Sequence, residues 1–470
     1  MNHTTLAETP VASAAKPQAP VPTRALAQLA ATTASPDFPE PLIGLMEECL
    51  LDLVGHTAFA AQFAESSPAF RQGARALDPS GQGFSVIGEP GSYSQLQAAL
   101  LNGAFSHTMD FDDTNVFGVL HPGSPVISAA LAAAECGPTC GRQLLEAMAV
   151  GYEVACRIGG GLGQMAYDRG FHITAVAGIF GAAAAIGRLR GLDTDTLERA
   201  FGIAASQAAG SMQYLENGAW NKRLHPGFAA YSAFVALSFA QAGVLAAHEP
   251  LAGRYGVLNG YSAAPSPEAL TQDLGRRWVA EQTGIKPYPS CRMTHAAVDA
   301  ALVLRERCAP ALRADVALHI EIPPKAFDVV GEPLPTKIAP RNIVDGQFSV
   351  YFQVACAWLD GKVDWQSYDR LGDPQVEALT RRMNVQPGID FKGPGARLRV
   401  DGQPELQVAI DVPSGEPSTP LGRTRLRQKY MSLATPVYGE AHAAALAQRL
   451  LNLRDEPSAA TLIRLLRVPN

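Results

Sequence analysis

The side chains able to do chemistry in this 470-residue chain fall into four short polar segments separated by apolar stretches. The densest reads His107-Thr108-Met109-Asp110-Phe111-Asp112-Asp113-Thr114, followed by Leu120-His121-Pro122-Gly123-Ser124. On a helix, His107, Asp110 and Thr114 share one face at i, i+3 and i+4 spacing. Three carboxylates among apolar neighbours are costly to bury without partners, so they either form an acidic helix end or serve a site. An aspartate-rich helix in an all-α protein also admits a metal-dependent prenyl-type enzyme, but no second Asn/Ser/Glu metal-binding segment follows. The second segment, Arg169-Gly170-Phe171-His172-Ile173-Thr174, puts a histidine at a helix start. The positive end of the backbone dipole favours neutral imidazole there, the form a general base needs. A histidine that merely bonds a free helix-end group reads the same way.

The third segment is Asn221-Lys222-Arg223-Leu224-His225-Pro226-Gly227, read as a short basic turn feeding the next helix. Adjacent Lys and Arg are common on surfaces. Between apolar helices they can hold carboxylates, the Lys as a compact charge and the Arg as a bidentate fork. The fourth, Lys286-Pro287-Tyr288-Pro289-Ser290-Cys291-Arg292-Met293-Thr294-His295, lies where the patterning changes, and domain junctions are frequent ligand sites. Other signals fail on spacing. Cys136 and Cys140 have three residues between them, not the two of a thioredoxin-like pair. The glycine run at 159–163 is read as following a helix and lacks G-x-G-x-x-G spacing. There is no Walker loop, no His-Glu-x-x-His, no paired-Cys zinc pattern and no clustered iron–sulfur spacing.

Positioning these segments requires a large framework, and the chain supplies it. From about 25 to 264 apolar residues recur at helical spacing, as in Leu42, Leu45, Met46, Cys49, Leu50 and Leu53. Stretches 141–151, 174–189, 196–209 and 228–243 repeat the habit, each ended by Gly or a Gly-rich turn. Interior runs such as Gly181-Ala182-Ala183-Ala184-Ala185 let helices approach closely. Alternating segments arise only later, at 316–322, 397–400 and 407–412, interleaved with helical patterns at 295–308, 348–359 and 374–383. The expected fold is mainly α. A large all-α domain over 25–280 is joined by a smaller α/β (α+β) lid over 281–420, and a helical segment at 421–470 returns to the first domain.

Composition bounds the function. Hydrophobic residues make up 47% and charged residues 17%, which excludes a disordered chain and a solvated coiled coil. Lys and Arg number 38 against 44 Asp and Glu, a net charge of −6 with no extended basic stretch, so no nucleic-acid partner is expected. Residues 1–24 read as a mobile tail without signal-peptide character, and no stretch suits a bilayer span, so no membrane partner is expected. Seven dispersed cysteines read as free thiols of a cytoplasmic protein.

Taken in order, HTMDFDDT with LHPGSPVISAALAAAE, GYEVACRIG, RGFHITAVAGIFGAAAAIG, NKRLHPGFAA, KPYPSCRMTHAAVDA and QFSVYFQVACAWLDG resemble the MmgE/PrpD family. That family includes 2-methylcitrate dehydratase, cis-aconitate decarboxylase and iminodisuccinate epimerase. The resemblance implies a helical domain with an α/β lid, usually a homodimer, with no metal or organic cofactor. It implies a lyase or isomerase that abstracts a proton or decarboxylates next to a carboxylate of a small di- or tricarboxylate, 2-methylcitrate dehydratase-like. Decarboxylase or epimerase activity is the alternative, and a non-catalytic binding protein is an alternative of another class. Family positions carry over to Asp110, Thr114, His121, His172 and Lys222, and to His295, with Cys291 as a competing alignment. His172 or His121 is then base or acid, Lys222 stabilises a carboxylate or enolate, and Asp110 orients a histidine. Thr114, Arg223, Arg292 and His295 are binding candidates. His121-Pro122-Gly123-Ser124 stands where typical 2-methylcitrate dehydratases have His-Pro-Ser-Asp.

Overall fold

The computed structural model describes residues 21–468 apart from 311, 312, 314, 315 and 392. Of the expected tail, residues 1–20 lie outside the described residues, and residues 22–24 are not tail but the start of the first helix. Among the described residues of the first half, to about 264, nine helices of eleven or more residues follow in order: α1 (Pro22–Thr32), α2 (Glu40–Phe63), α3 (Ser67–Leu77), α4 (Gln95–Thr108), α5 (Gly123–Ala134), α6 (Gly141–Asp168), α7 (Ile173–Leu189), α8 (Thr194–Ala204) and α9 (Asn221–Gln241). Among the described residues this half carries only two-residue strands. They are β1 (Phe84–Ser85) against β2 (Ser92–Tyr93), and β3 (Thr114–Asn115) against β4 (Thr283–Gly284).

Small residues set how these helices meet. A Cβ on Gly103 of α4 would sit 2.7 Å from Gly227 Cα of α9, and one on Gly227 would sit 2.3 Å from Leu100 O. The two backbones therefore touch, which brings the start of α9 beside the end of α4. The glycine run at 159–163 is the end of the first stretch of α6 rather than a loop after it: the helix carries on to Leu162, kinks at Gly163, where φ is 61, and resumes to Asp168. A Cβ on Gly159 would sit 2.2 Å from Gly118 O, and one on Gly160 2.4 Å from the Phe117 ring. The run is a bed on which the 115–120 loop lies against the helix. The 221–227 segment is also helix rather than turn, forming the first two turns of α9.

Later helices close the same core. Gly422–Tyr438, Glu440–Leu450 and Ala459–Leu465 contribute Leu426, Tyr430, Leu446, Leu450 and Leu462 to the cluster built by α1, α2 and α5–α9. A second cluster surrounds a four-stranded sheet ordered β6-β5-β7-β8, with β5 (Leu318–Ile322), β6 (Met383–Pro387), β7 (Ala396–Val400) and β8 (Gln403–Ile410). β5 runs parallel to β6 and antiparallel to β7, with Leu318 opposite Val400 and Ile320 opposite Leu398. Leu318, Ile320 and Ile322 alternate inward and meet helices His295–Arg307 and Val350–Asp360, as a sheet with one covered face requires. The architecture is mainly α with a smaller α/β part. No helix among the described residues is long and apolar enough to cross a membrane. All seven cysteines are free thiols.

Candidate active site

The acidic segment is not helical. α4 ends at Thr108, and Asp110 takes a left-handed conformation with φ 50, which aspartate tolerates better than most residues. The expected shared face of His107, Asp110 and Thr114 is therefore replaced by a loop that sends the three carboxylates to three different partners.

Asp110 meets two lysines. Its Oδ1 accepts from Lys286 Nζ at 2.6 Å, and its Oδ2 lies 2.9 Å from Lys222 Nζ. Lys286 also donates to the Asp110 carbonyl at 2.8 Å. Burial pushes the Asp110 carboxyl up, but the two cations outweigh it and hold it well below the usual carboxylate range. Asp110 thus orients lysines rather than the expected histidine, because the left-handed turn aims it at the start of α9 and at the chain beyond β4. The β3–β4 pairing, Thr114 opposite Gly284, fixes that second approach two residues before Lys286. Two cations on one carboxylate leave one positive charge in excess.

Asp112 receives the Ser124 hydroxyl at 2.7 Å and faces His107 Nδ1 at 2.7 Å. Asp113 accepts the Gly123 N–H at 3.0 Å and the Tyr152 hydroxyl at 2.5 Å, so the acidic loop caps the start of α5. His121 Nδ1 donates to the Asp113 carbonyl at 2.9 Å. A carbonyl only accepts, so Nδ1 carries the proton in that contact. His172 precedes α7 and lies 6.5 Å from His121, centroid to centroid. Burial, then His225, His107 and Lys222, push its pKa well below the usual histidine value, so the ring is neutral.

Asp110, Thr114, His121, His172 and Lys222 all line one cavity of about 360 Å³, within the range of small-molecule sites. Its other walls come from the sheet-bearing part and its approaches, including Pro323, Lys325, Phe348, Pro394 and Glu416. Lys222 Nζ lies 5.1 Å from the Phe348 ring centroid, and the Thr114 hydroxyl is buried without a hydrogen-bond partner among the described residues. Arg292 is a wall residue held by Glu416 at 2.7 Å and by the Ser414 carbonyl at 2.8 Å.

Two binding candidates fall elsewhere. Arg223 turns to Glu65 at 2.8 Å and Ser66 at 2.9 Å and forms no part of the cavity wall, since the next residue along a helix points about 100° away. His295 spends Nδ1 on Arg292 at 2.9 Å and Nε2 on the Ser290 carbonyl at 3.2 Å. It supports Arg292, and Cys291 is the residue of that pair in the wall. Sequence reasoning missed Lys286, Lys325, Tyr214, Phe348 and Glu416. The signal for Lys286 was only its place before Pro-x-Pro, because its partner is 176 residues away.

His107, Asp112 and His121 each bring one donor atom within 4.8 Å of the others, the geometry of a candidate metal group. Their contacts are hydrogen-bonded ones. Both histidine Nδ1 atoms face oxygen acceptors.

Asp113 makes a pH prediction. Burial, opposed by the Tyr152 hydroxyl and reinforced by Asp112, raises its pKa to about 7, against about 3.9 unfolded. Between these values the folded state holds the extra proton. The stability this residue contributes is full below about pH 4 and is lost as pH rises through about 7. Asp113→Asn should flatten that fall by roughly 1 kcal/mol per pH unit, read as denaturant midpoints between pH 4.5 and 7. Parallel wild-type and variant profiles would show that Asp113 is ionised throughout.

The model of the MmgE/PrpD N-terminal domain matches residues 24–270, and that of the MmgE/PrpD C-terminal domain matches 288–454. A cis-aconitate decarboxylase of Aspergillus terreus is 28% identical over 94% of both chains. A cis-aconitate decarboxylase-like protein of Aspergillus oryzae is 26% identical over 92% of this chain and 94% of its own. The mouse cis-aconitate decarboxylase is 27% identical over 79% of this chain and 78% of its own.

Proposed function

This chain belongs to the MmgE/PrpD family, and we propose that within it the protein is a decarboxylase of a small unsaturated polycarboxylate, with cis-aconitate as the first candidate. The observation that carries the reading is the buried Asp110–Lys222–Lys286 group, whose one excess positive charge lies beside His121 and His172 in the same wall.

In cis-aconitate, one carboxylate sits on a methylene attached to the C=C. When its C–C bond breaks, CO₂ leaves and the bonding pair becomes a new C=C to the central carbon. The old π pair moves to the far carbon, whose own carboxylate takes up the developing enolate charge. That carbon then accepts one proton, giving methylenesuccinate. Lys222 stabilises the enolate charge, which is worth more in a water-excluded site than in solution. His172 delivers the proton. The unpartnered Thr114 hydroxyl is a donor for a substrate carboxylate.

The test is proton NMR of cis-aconitate with the protein in heavy water, with CO₂ measured in parallel. One CO₂ per methylenesuccinate and one deuterium at the former vinylic carbon are expected. Dehydration of 2-methylcitrate or epimerisation of iminodisuccinate without CO₂ release from cis-aconitate would replace this reading with the corresponding family reaction.

A further inference from the structure

A second cavity of about 410 Å³ lies beside the first and is not used by the reaction as described. Its wall includes His225, while His172 lines the first cavity, and Tyr214 lines both. Its rim residues Ser211, Gln213, Asn217 and Asn221 are exposed, so it meets solvent. Between the two cavities, His172 Nδ1 and His225 Nδ1 are 3.0 Å apart, and both rings are buried. No described residue hydrogen-bonds either Nε2. Two buried imidazoles thus join through their Nδ1 atoms while each ring lines a different chamber.

We propose that His225 is a proton relay acting through His172, connecting the reacting carbon with water in the second cavity. A neutral Nδ1–H···Nδ1 contact forces the rings into opposite tautomers, one protonated on Nδ1 and the other on Nε2. Both rings are neutral, since burial lowers each and Lys222 lowers them further, His225 to about 4. Starting with His172 protonated on Nε2 and His225 on Nδ1, His172 gives its Nε2 proton to the carbon that the departing CO₂ has made basic. His172 Nδ1 takes the His225 Nδ1 proton, and His225 Nε2 takes one from water. The net change is one proton from water to product, the hydroxide left behind being neutralised by solvent at the open second cavity, and neither ring passes through an anion or a lasting cation. After product release solvent protonates His172 Nε2, its Nδ1 proton returns to His225 Nδ1, and His225 Nε2 gives its proton back to solvent in the second cavity, which resets the pair. The scheme rests on the decarboxylase reading for its direction; the histidine pair itself does not.

The test uses His225→Gln and His225→Ala in the full chain. Glutamine keeps a hydrogen-bond partner for His172 but cannot pass a proton through itself, so it separates relaying from holding the ring. The expected results are a kcat loss of roughly tenfold to a hundredfold in both variants, less than loss of a direct acid–base group, with KM little changed. The solvent deuterium isotope effect on kcat should rise, and added imidazole should rescue His225→Ala saturably through the vacated cavity. Wild-type kcat and isotope effect in folded His225→Gln would overturn the relay. Should the wild-type protein decarboxylate nothing, the decarboxylase reading fails and the relay is judged on the substrate-free protein by ¹⁵N-histidine NMR. One Nδ1-protonated and one Nε2-protonated ring in contact is expected, and two rings of the same tautomer would overturn it.

Discussion

Replacing Lys222 by alanine should lower kcat by roughly 10²–10³ while leaving the fold in place. The asymmetry follows from how Asp110 is held. Lys286 donates to both its carboxylate and its carbonyl and is fully buried, so removing Lys222 leaves Asp110 paired with one cation. What disappears is the cation in the cavity wall beside Phe348, and with it the charge that meets the enolate. That interaction strengthens as negative charge develops, so its loss falls on kcat and not only on KM. Lys222→Arg should recover only part of the rate, because a planar fork cannot replace a point charge held 2.9 Å from Asp110. Steady-state kinetics beside thermal melts check both claims. Near-normal kcat in folded Lys222→Ala would remove this residue from the mechanism.

Asp110→Asn should cost about 3–5 kcal/mol of stability, the usual effect of removing one partner from a buried ion pair. Two buried lysines would lose their counter-charge together, and each would have to shed its proton or reach for water. The left-handed backbone is not the cause, since asparagine accepts φ near 50 as readily as aspartate. The Asp110→Asn/Lys286→Met pair discriminates: deleting carboxylate and fully buried cation together should recover much of the stability without restoring turnover. Chemical denaturation of the four corners of this cycle reads the coupling. Additive losses would mean that the pair is not coupled and that the stability of the loop has another source.

His121, His172, Asp110 and Lys222, which line the cavity, could be found in the chain because they stand as polar islands between helices that are otherwise apolar. Helical periodicity to about 264 and alternation after 316 likewise made the mainly α architecture with a smaller α/β part readable. Such patterns are local: a period of 3.6 or 2 is written within a dozen residues. Roles were harder to read than places. Asp110 was expected to steer a histidine, and Arg223 and His295 to face substrate. A left-handed turn after α4, the 100° step between neighbours on α9 and the Arg292 contact decided otherwise.

Lys286 and His225 stand inside two of the polar segments, but their roles were unreadable for a different reason. Their partners, Asp110 and His172, lie 176 and 53 residues away. Nothing in a single chain records that Gly103 and Gly227 let two helices touch, or that β3 pairs with β4 to deliver a lysine. The sequence by itself determined the elements, the family and six side chains of the cavity wall, Asp110, Thr114, His121, His172, Lys222 and Arg292, because each is a short-range property of the chain. The tertiary structure alone decided which carboxylate meets which cation and which nitrogen of each histidine stays free, because charge pairing and tautomer depend on atoms within about 3 Å that the fold brings from far along the chain.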